Sequence, residues 1–289
     1  MPTSRDPRRD QPGTYFVQDR SNKEEMTRLT IQEQMLTASM GGVLPEQPDP
    51  GILQSILDVG CGTGGWLIKV ARTFPTITRL VGVDISERMV EYARALAAAE
   101  EVSDRVEFYT MDALRKLDFP ASTFDLVNQR LGLSFVRTWN WLDLLNEFAR
   151  VARPGGVIRL TEADMVESNS AGLARREQLL LQAFYQAGHF FVRQADGITR
   201  ELAPLLQRYG LRDIQKRVYR LEYRSGTEQG RLFAENMAHG FRTLKPFMQK
   251  WTTVPEDYEG LYQQTMAEMQ QPNFAAIWPL LTVWGRTPS

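Results

Sequence analysis

Between residues 52 and 162 the chain alternates short apolar runs with longer stretches whose apolar positions recur every three or four residues. The short runs predict strands at Ser55–Val59, Arg79–Asp84, Arg105–Thr110, Phe124–Gln129 and Val157–Thr161. The periodic stretches predict helices near Gly64–Thr73, Ser86–Ala99 and Asn140–Ala152. Ser86 is placed to cap the second helix, and Pro154-Gly155-Gly156 to stop the third. Each strand is nearly continuous in apolar residues, as burial on both faces requires. Such alternation marks an α/β fold, a parallel sheet with helices on both faces.

The flanks differ from this core. Upstream, Met26, Leu29, Ile31, Met35, Leu36 and Met40 predict a helix from about Ser21 to Met40, ended by Gly41-Gly42. Pro45, Pro48 and Pro50 make a linker, so residues 15–50 read as an N-terminal helical lid and linker before a domain at 51–289. Residues 1–14, polar and proline-containing, are expected to be a disordered tail. Downstream, helical patterns cover Ala171–His189, Ile198–Tyr209, Gln229–Trp251 and Tyr258–Gln270. Strands are expected at Leu211–Tyr223 and Ile277–Gly285. The helical blocks at about 165–200 and 229–272 are therefore expected to form a cap insertion.

Composition narrows the partners. The 289 residues are 43% hydrophobic and 24% charged with a formal net charge of −1, so no basic face points to nucleic acid. A single cysteine excludes an internal disulfide and any thiol cluster for zinc or iron–sulfur, and no metal site is expected. No run is apolar for long enough to cross a bilayer, and no signal-peptide core is present, so a cytoplasmic protein is expected.

Chemistry concentrates in Ile56-Leu57-Asp58-Val59-Gly60-Cys61-Gly62-Thr63-Gly64-Gly65, a strand that breaks into a bare turn where a ligand can approach the main chain. Gly60-x-Gly62-x-x-Gly65 with Asp84 downstream satisfies a dinucleotide fingerprint, so a nicotinamide-dependent oxidoreductase is one reading. Three features favour S-adenosylmethionine. Asp58 places a carboxylate beside the ligand path, suited to an ammonium or sulfonium and unwelcome beside pyrophosphate. Gly64 adds a third alternating glycine. Met111-Asp112-Ala113 follows the third strand, where a carboxylate can accept from an adenine amine and the next N–H can donate to the ring.

In that order these residues resemble the class I S-adenosylmethionine-dependent methyltransferases of the small-molecule type. The resemblance covers Ile52 to Thr161 through Leu57–Gly64, Gly82–Ser86, Met111–Ala113, Phe124–Val127 and Ala152–Gly156, and Trp284-Gly285-Arg286 resembles the family's last strand. It implies a Rossmann-like, seven-stranded, mostly parallel sheet with the last strand inserted antiparallel. It also implies roles: Gly60, Gly62 and Gly64 against the methionine part of the cofactor, Asp84 on the ribose hydroxyls, and Met89 over the adenine. Asp112 and Ala113 would read the adenine edge, and Gln129 and Arg130 would flank the reacting methyl. Tyr15 resembles an aromatic residue of the family's N-terminal segment, and Arg28 would approach the cofactor carboxylate if that helix covers the site. The alternative for Met89 is core packing, and for the helix, packing on the flank or contact with a second copy of the chain. Asp125 is expected to pair at its strand start.

Methyl transfer needs no dedicated catalytic motif. Candidate bases are Glu162 and Asp164 after the fifth strand, and His189, which Phe184, Tyr185, Phe190 and Phe191 surround with aromatic surface. The aromatic content of the C-terminal half favours a small hydrophobic or aromatic acceptor with an oxygen, nitrogen or carbon nucleophile. The rival to turnover is a non-catalytic S-adenosylmethionine-binding protein.

Overall fold

A computed structural model describes residues 15, 17 and 23–288. The tail expected at 1–14 lies outside the described residues. The elements are, in order, α1 (Lys23–Ser39), β1 (Ser55–Val59), α2 (Gly65–Thr73), β2 (Arg79–Asp84), α3 (Glu87–Ala99), β3 (Val106–Thr110), β4 (Phe124–Arg130), α4 (Trp141–Val151) and β5 (Ala152–Ala163). There follow β6 (Glu167–Ser168), α5 (Ala171–Gln186), α6 (Thr199–Arg208), β7 (Arg212–Arg224), α7 (Glu228–Thr243), α8 (Lys245–Trp251), α9 (Tyr258–Met269) and β8 (Ala275–Arg286).

The strands form one sheet in the order β3-β2-β1-β4-β5-β8, with β6 and β7 both pairing β8. Pairs among β1 to β5 are parallel, and β8 runs antiparallel to β5, β6 and β7. This is the expected Rossmann-like architecture; the two-residue β6 adds an eighth strand too short to show as a sequence pattern. Alternation along the strands divides the core. Leu57, Val59, Val81, Val83 and Val127 face one cluster, whereas Ile56, Leu80, Leu126 and Val157 face another with α2 and α3. The order in which strands are added switches sides at β1, which pairs with β2 on one side and β4 on the other. A crevice therefore opens at the carboxyl ends of β1 and β4, where open α/β sheets bind ligands.

Two boundaries differ from the periodicity. Pro154-Gly155-Gly156 does not follow a helix as its stop: α4 ends at Val151, and the three residues lie inside β5 at a register shift opposite Phe124 and Leu126. Gly155 takes φ +72°, and a Cβ at Gly156 would come within 2.8 Å of the Arg153 carbonyl, so the glycines make a bulge there. The block expected at Gln229–Trp251 is two helices, because Pro246 has no N–H to continue α7 and sits in the first turn of α8. Asp125 pairs as expected, accepting from the backbone N–H groups of Gln54 and Ser55 at 2.8 Å each.

Helix α1 lies against α7, where the Asn236 amide donates to the Arg28 carbonyl at 3.1 Å. The linker after it is tied down by Trp66, whose indole donates to the Val43 carbonyl at 3.0 Å. Among the described residues no helix is long and apolar enough to cross a membrane.

Candidate functional site

The turn after β1 places three glycines in left-handed backbone for three different reasons. The amides of Gly60 and Cys61 both donate to the Val83 carbonyl, at 2.9 and 3.0 Å, which folds the turn over the end of β2. A Cβ on Gly60 would sit 2.9 Å from the Phe135 ring, so its bareness admits that ring onto the turn. Gly62, at φ +53°, would project a Cβ into open space along the cavity wall. Gly64 precedes α2 at its N-cap, and its missing Cβ makes room for Phe108 and Ala93, at 2.7 and 2.8 Å. The first two line the cavity; Gly64 does not.

Asp84 at the end of β2 is held by backbone on both carboxylate oxygens. Oδ2 accepts from Gly62 at 3.0 Å and Oδ1 from Ser86 at 2.8 Å, so its plane is fixed relative to the glycine turn. Ser86 in turn caps α3 through Met89. Asp58 is 4% exposed, and burial pushes its carboxyl up to about 6 despite Arg130, Arg159 and a 2.7 Å bond from the Asn128 amide. Asn128 accepts from Arg159 at 2.7 Å, and Arg159 pairs with Glu46 at 2.6 Å, both fully buried. A polar chain thus runs through the sheet from the linker to the glycine turn. Arg130 stacks over Trp66, with its Cζ 5.3 Å from the ring centroid, and donates to Thr37 at 3.2 Å.

Of these groups Asp58, Asp84, Ser86, Met89 and Arg130 share one cavity of about 250 Å³. At one end stand Met89 and the stretch Met111 to Leu114, with the Asp112 carboxylate accepting from the Leu114 amide at 3.0 Å. At the other, α1, α5, α7 and the ends of β5 and β8 enclose an apolar chamber that includes Leu36, Leu180, Phe184, Met237, Trp278 and Leu280. Tyr15 and Arg28 line it as well, so α1 covers the crevice instead of lying only on the flank. Tyr15 donates to Glu25 at 2.6 Å, and burial together with that carboxylate raises its hydroxyl pKa well above the ordinary value. Arg28 engages three of its five N–H donors: Nε and Nη2 clamp Glu25 at 2.8 and 2.7 Å, and Nη1 donates to Gln32 at 2.7 Å. The guanidinium beside the Asp58 end of the cavity is Arg130.

Asp58, Gly60, Gly62, Asp84, Met89, Asp112, Ala113, Arg130 and Asp164 are thus brought to one cavity with Tyr15 and Arg28. Gly64, Gln129 and His189 are not. Gln129 is fully buried and donates to Glu162 at 3.0 Å. His189 lies behind the wall, 1% exposed, between Phe184 and Phe247, with Nδ1 3.1 Å from the Val136 carbonyl. Burial pulls its pKa down to about 4, so it is a neutral imidazole packed in the core. Glu162 also lies behind the wall. Its carboxyl is pushed up to about 7 by burial, while it accepts from Gln129 and from the Leu133 amide at 3.1 Å. Asp164 does face the cavity, accepting from the Thr199 hydroxyl, and burial raises its carboxyl.

Sequence reasoning missed two kinds of residue. Leu131, at φ +54°, turns the chain sharply after β4 and lines the cavity; a leucine gives no sequence sign of such a turn. Arg176, Glu177 and Asn236 place polar groups in the chamber from α5 and α7.

Residues 56–156 match the family model described as a methyltransferase domain. The chain is 36% identical over 102 residues to demethylmenaquinone methyltransferase of Lactococcus lactis subsp. lactis (strain IL1403), a match spanning 35% of this chain and 39% of that enzyme. It is 26% identical over 280 residues to 27-O-demethylrifamycin SV methyltransferase of Amycolatopsis mediterranei (strain S699), covering 95% of this chain and 84% of the relative. Its fold resembles that of Haemonchus contortus phosphoethanolamine N-methyltransferase 2, solved with phosphomonomethylethanolamine and S-adenosylhomocysteine. The TM-score is 0.57 at 17% identity, over 95% of this chain and 60% of that one.

Proposed function

Because this chain belongs to the class I S-adenosylmethionine-dependent methyltransferases, we propose that it methylates a small hydrophobic or aromatic acceptor held in the apolar chamber. The observation that carries the reading is the single cavity running from the glycine turn to that chamber under α1. The residues suit the cofactor. Gly62 leaves the turn open to the cavity, Asp58 offers a buried carboxylate for an ammonium, and Asp84 offers a fixed one for ribose hydroxyls. Arg130 takes the carboxylate end in place of Arg28, whose charge is matched by the bidentate Glu25 carboxylate. Met89 covers an adenine face, and Asp112 with the Ala113 amide reads the ring edge.

When bound, the cofactor supplies the electrophile, a sulfonium methyl open to in-line displacement. The chain's own work is to exclude water and hold the nucleophile in line. Helix α1, pinned to α7, closes the cavity over the turn. Phe135 on Gly60 and Leu133 beside it fix the wall between the two ends. Asp164 receives a proton from any acceptor that must lose one, being partly desolvated and therefore more basic than an ordinary aspartate.

Calorimetry with S-adenosylhomocysteine and with NADH tests the cofactor, and S-adenosylhomocysteine release across an acceptor panel tests turnover. Binding of the homocysteine adduct with turnover of an apolar acceptor is expected. Binding without turnover of any acceptor favours the non-catalytic alternative, and tight NADH binding alone refutes the reading.

A further inference from the structure

The acceptor chamber contains two arginines whose surroundings are unequal. Both approach Gly240 on α7: a Cβ there would come 3.0 Å from Arg176 Nη2 and 3.9 Å from Arg28 Cδ. Arg28 is matched by a bidentate carboxylate and an amide oxygen. Arg176 is 3% exposed and bonds Glu177 through Nη1 alone, at 2.5 Å, while its Nε is buried with no hydrogen-bond partner among the described residues. Glu177 divides its charge further, its other oxygen accepting from the Val166 amide at 3.1 Å. Successive helical residues do not share a face, so it takes a deliberate arrangement to bring both Arg176 and Glu177 into the chamber wall.

The guanidinium is also held in place. Its Cζ lies 5.1 Å from the Phe241 ring centroid, and the Met237 sulfur is 3.8 Å from Nη1. A buried, oriented guanidinium with five N–H donors and a single carboxylate oxygen to serve them is an oxygen-binding group, and the strongest partner for it is an anionic oxygen. The remaining chamber wall is largely apolar.

The geometry points to an acceptor that carries an oxyanion on an apolar or aromatic frame, with the Arg176 guanidinium, bonded to a single carboxylate oxygen, donating to that oxyanion. This rests on the assignment of the chamber to the methyl acceptor. The guanidinium anchors the molecule, and the apolar wall selects its frame. Neutral analogues of the same shape fill the chamber without satisfying the guanidinium, and so bind more weakly.

Titration calorimetry with saturating S-adenosylhomocysteine, using 2-naphthoate and the neutral 2-naphthalenemethanol as probes, tests the assignment. The wild-type protein is expected to bind the acid about tenfold or more tighter than the alcohol, with the preference weakening in high salt. Arg176→Met should erase the preference while leaving S-adenosylhomocysteine binding unchanged. Arg176→Lys, which keeps the charge, should restore part of it. Equal wild-type affinity for the two probes, no measurable binding of the acid, or a preference that survives Arg176→Met overturns the inference. The wild-type comparison decides even if a variant fails to fold. Failure of S-adenosylhomocysteine to bind the wild-type protein would instead remove the methyl-transfer reading beneath it.

Discussion

Replacement of Glu162 by glutamine gives the sharpest physical test of the site's architecture. Glu162 is fully buried behind the cavity wall and holds the turn after β4, accepting from Gln129 and Leu133. Burial pushes its carboxyl up to about 7 from an ordinary 4.5. The folded protein therefore binds the proton more tightly than the unfolded chain. Stability is highest while Glu162 is protonated and falls as pH rises from about 4.5 to about 7. At about 1.36 kcal/mol per pH unit, the gap of 7 − 4.5 = 2.5 amounts to about 3 kcal/mol, most of which accrues between pH 5 and 8. Glu162→Gln removes the titration. Urea unfolding of both proteins at pH 5 and pH 8 should show the variant gaining on the wild type by about 2–3 kcal/mol at the higher pH. Other titrating groups cancel in that difference. A wild-type-to-variant gap that does not move with pH would refute the buried, proton-hungry Glu162.

Asp84→Ala should weaken S-adenosylhomocysteine binding by about 1.5–3 kcal/mol in calorimetry, the range for hydrogen bonds to a charged group. Wild-type affinity for S-adenosylhomocysteine should decline as pH drops below about 6, where Asp58 protonates and stops attracting an ammonium. Asp58→Asn should flatten that decline. Removing Glu46 alone, as Glu46→Leu, should cost about 3–5 kcal/mol in denaturant unfolding by stranding buried Arg159. Adding Arg159→Met should return much of it. Gly82→Ala should destabilise by about 1–3 kcal/mol, because its Cβ would come 2.5 Å from the Phe108 ring and 3.0 Å from the Cys61 sulfur.

What the sequence made legible follows from the range of the forces involved. The strands, the glycine turn and the carboxylates at strand ends are set by local pattern, and Asp58, Asp84 and Asp112 reach one cavity because a parallel sheet aligns its strand ends. The partner of Arg28 was also present in the sequence: Glu25 and Gln32 stand three residues before and four after it, on one helix face. His189 shows the opposite case. Aromatic neighbours in sequence suggest a pocket wall, yet Phe247 from α8 encloses the imidazole and puts it in the core. The environment of Arg176 depends on Met237, Gly240 and Phe241, some sixty residues away, and no local pattern announces it.

The position of β8 sets a timetable for folding. It pairs β5 on one side and β7 on the other, so the strand that follows both of them in the chain lies between them in the sheet. Until residues 275–286 leave the ribosome, β5 and the 13-residue β7 both present unpaired backbone edges. Those edges are separated by β6, α5 and α6 and are joined only when β8 slides between them. A nascent or C-terminally nicked chain can thus already hold the complete glycine turn, β1 to β4, and still lack the chamber wall that Trp278 and Leu280 supply. Aggregation during expression is the hazard of that interval.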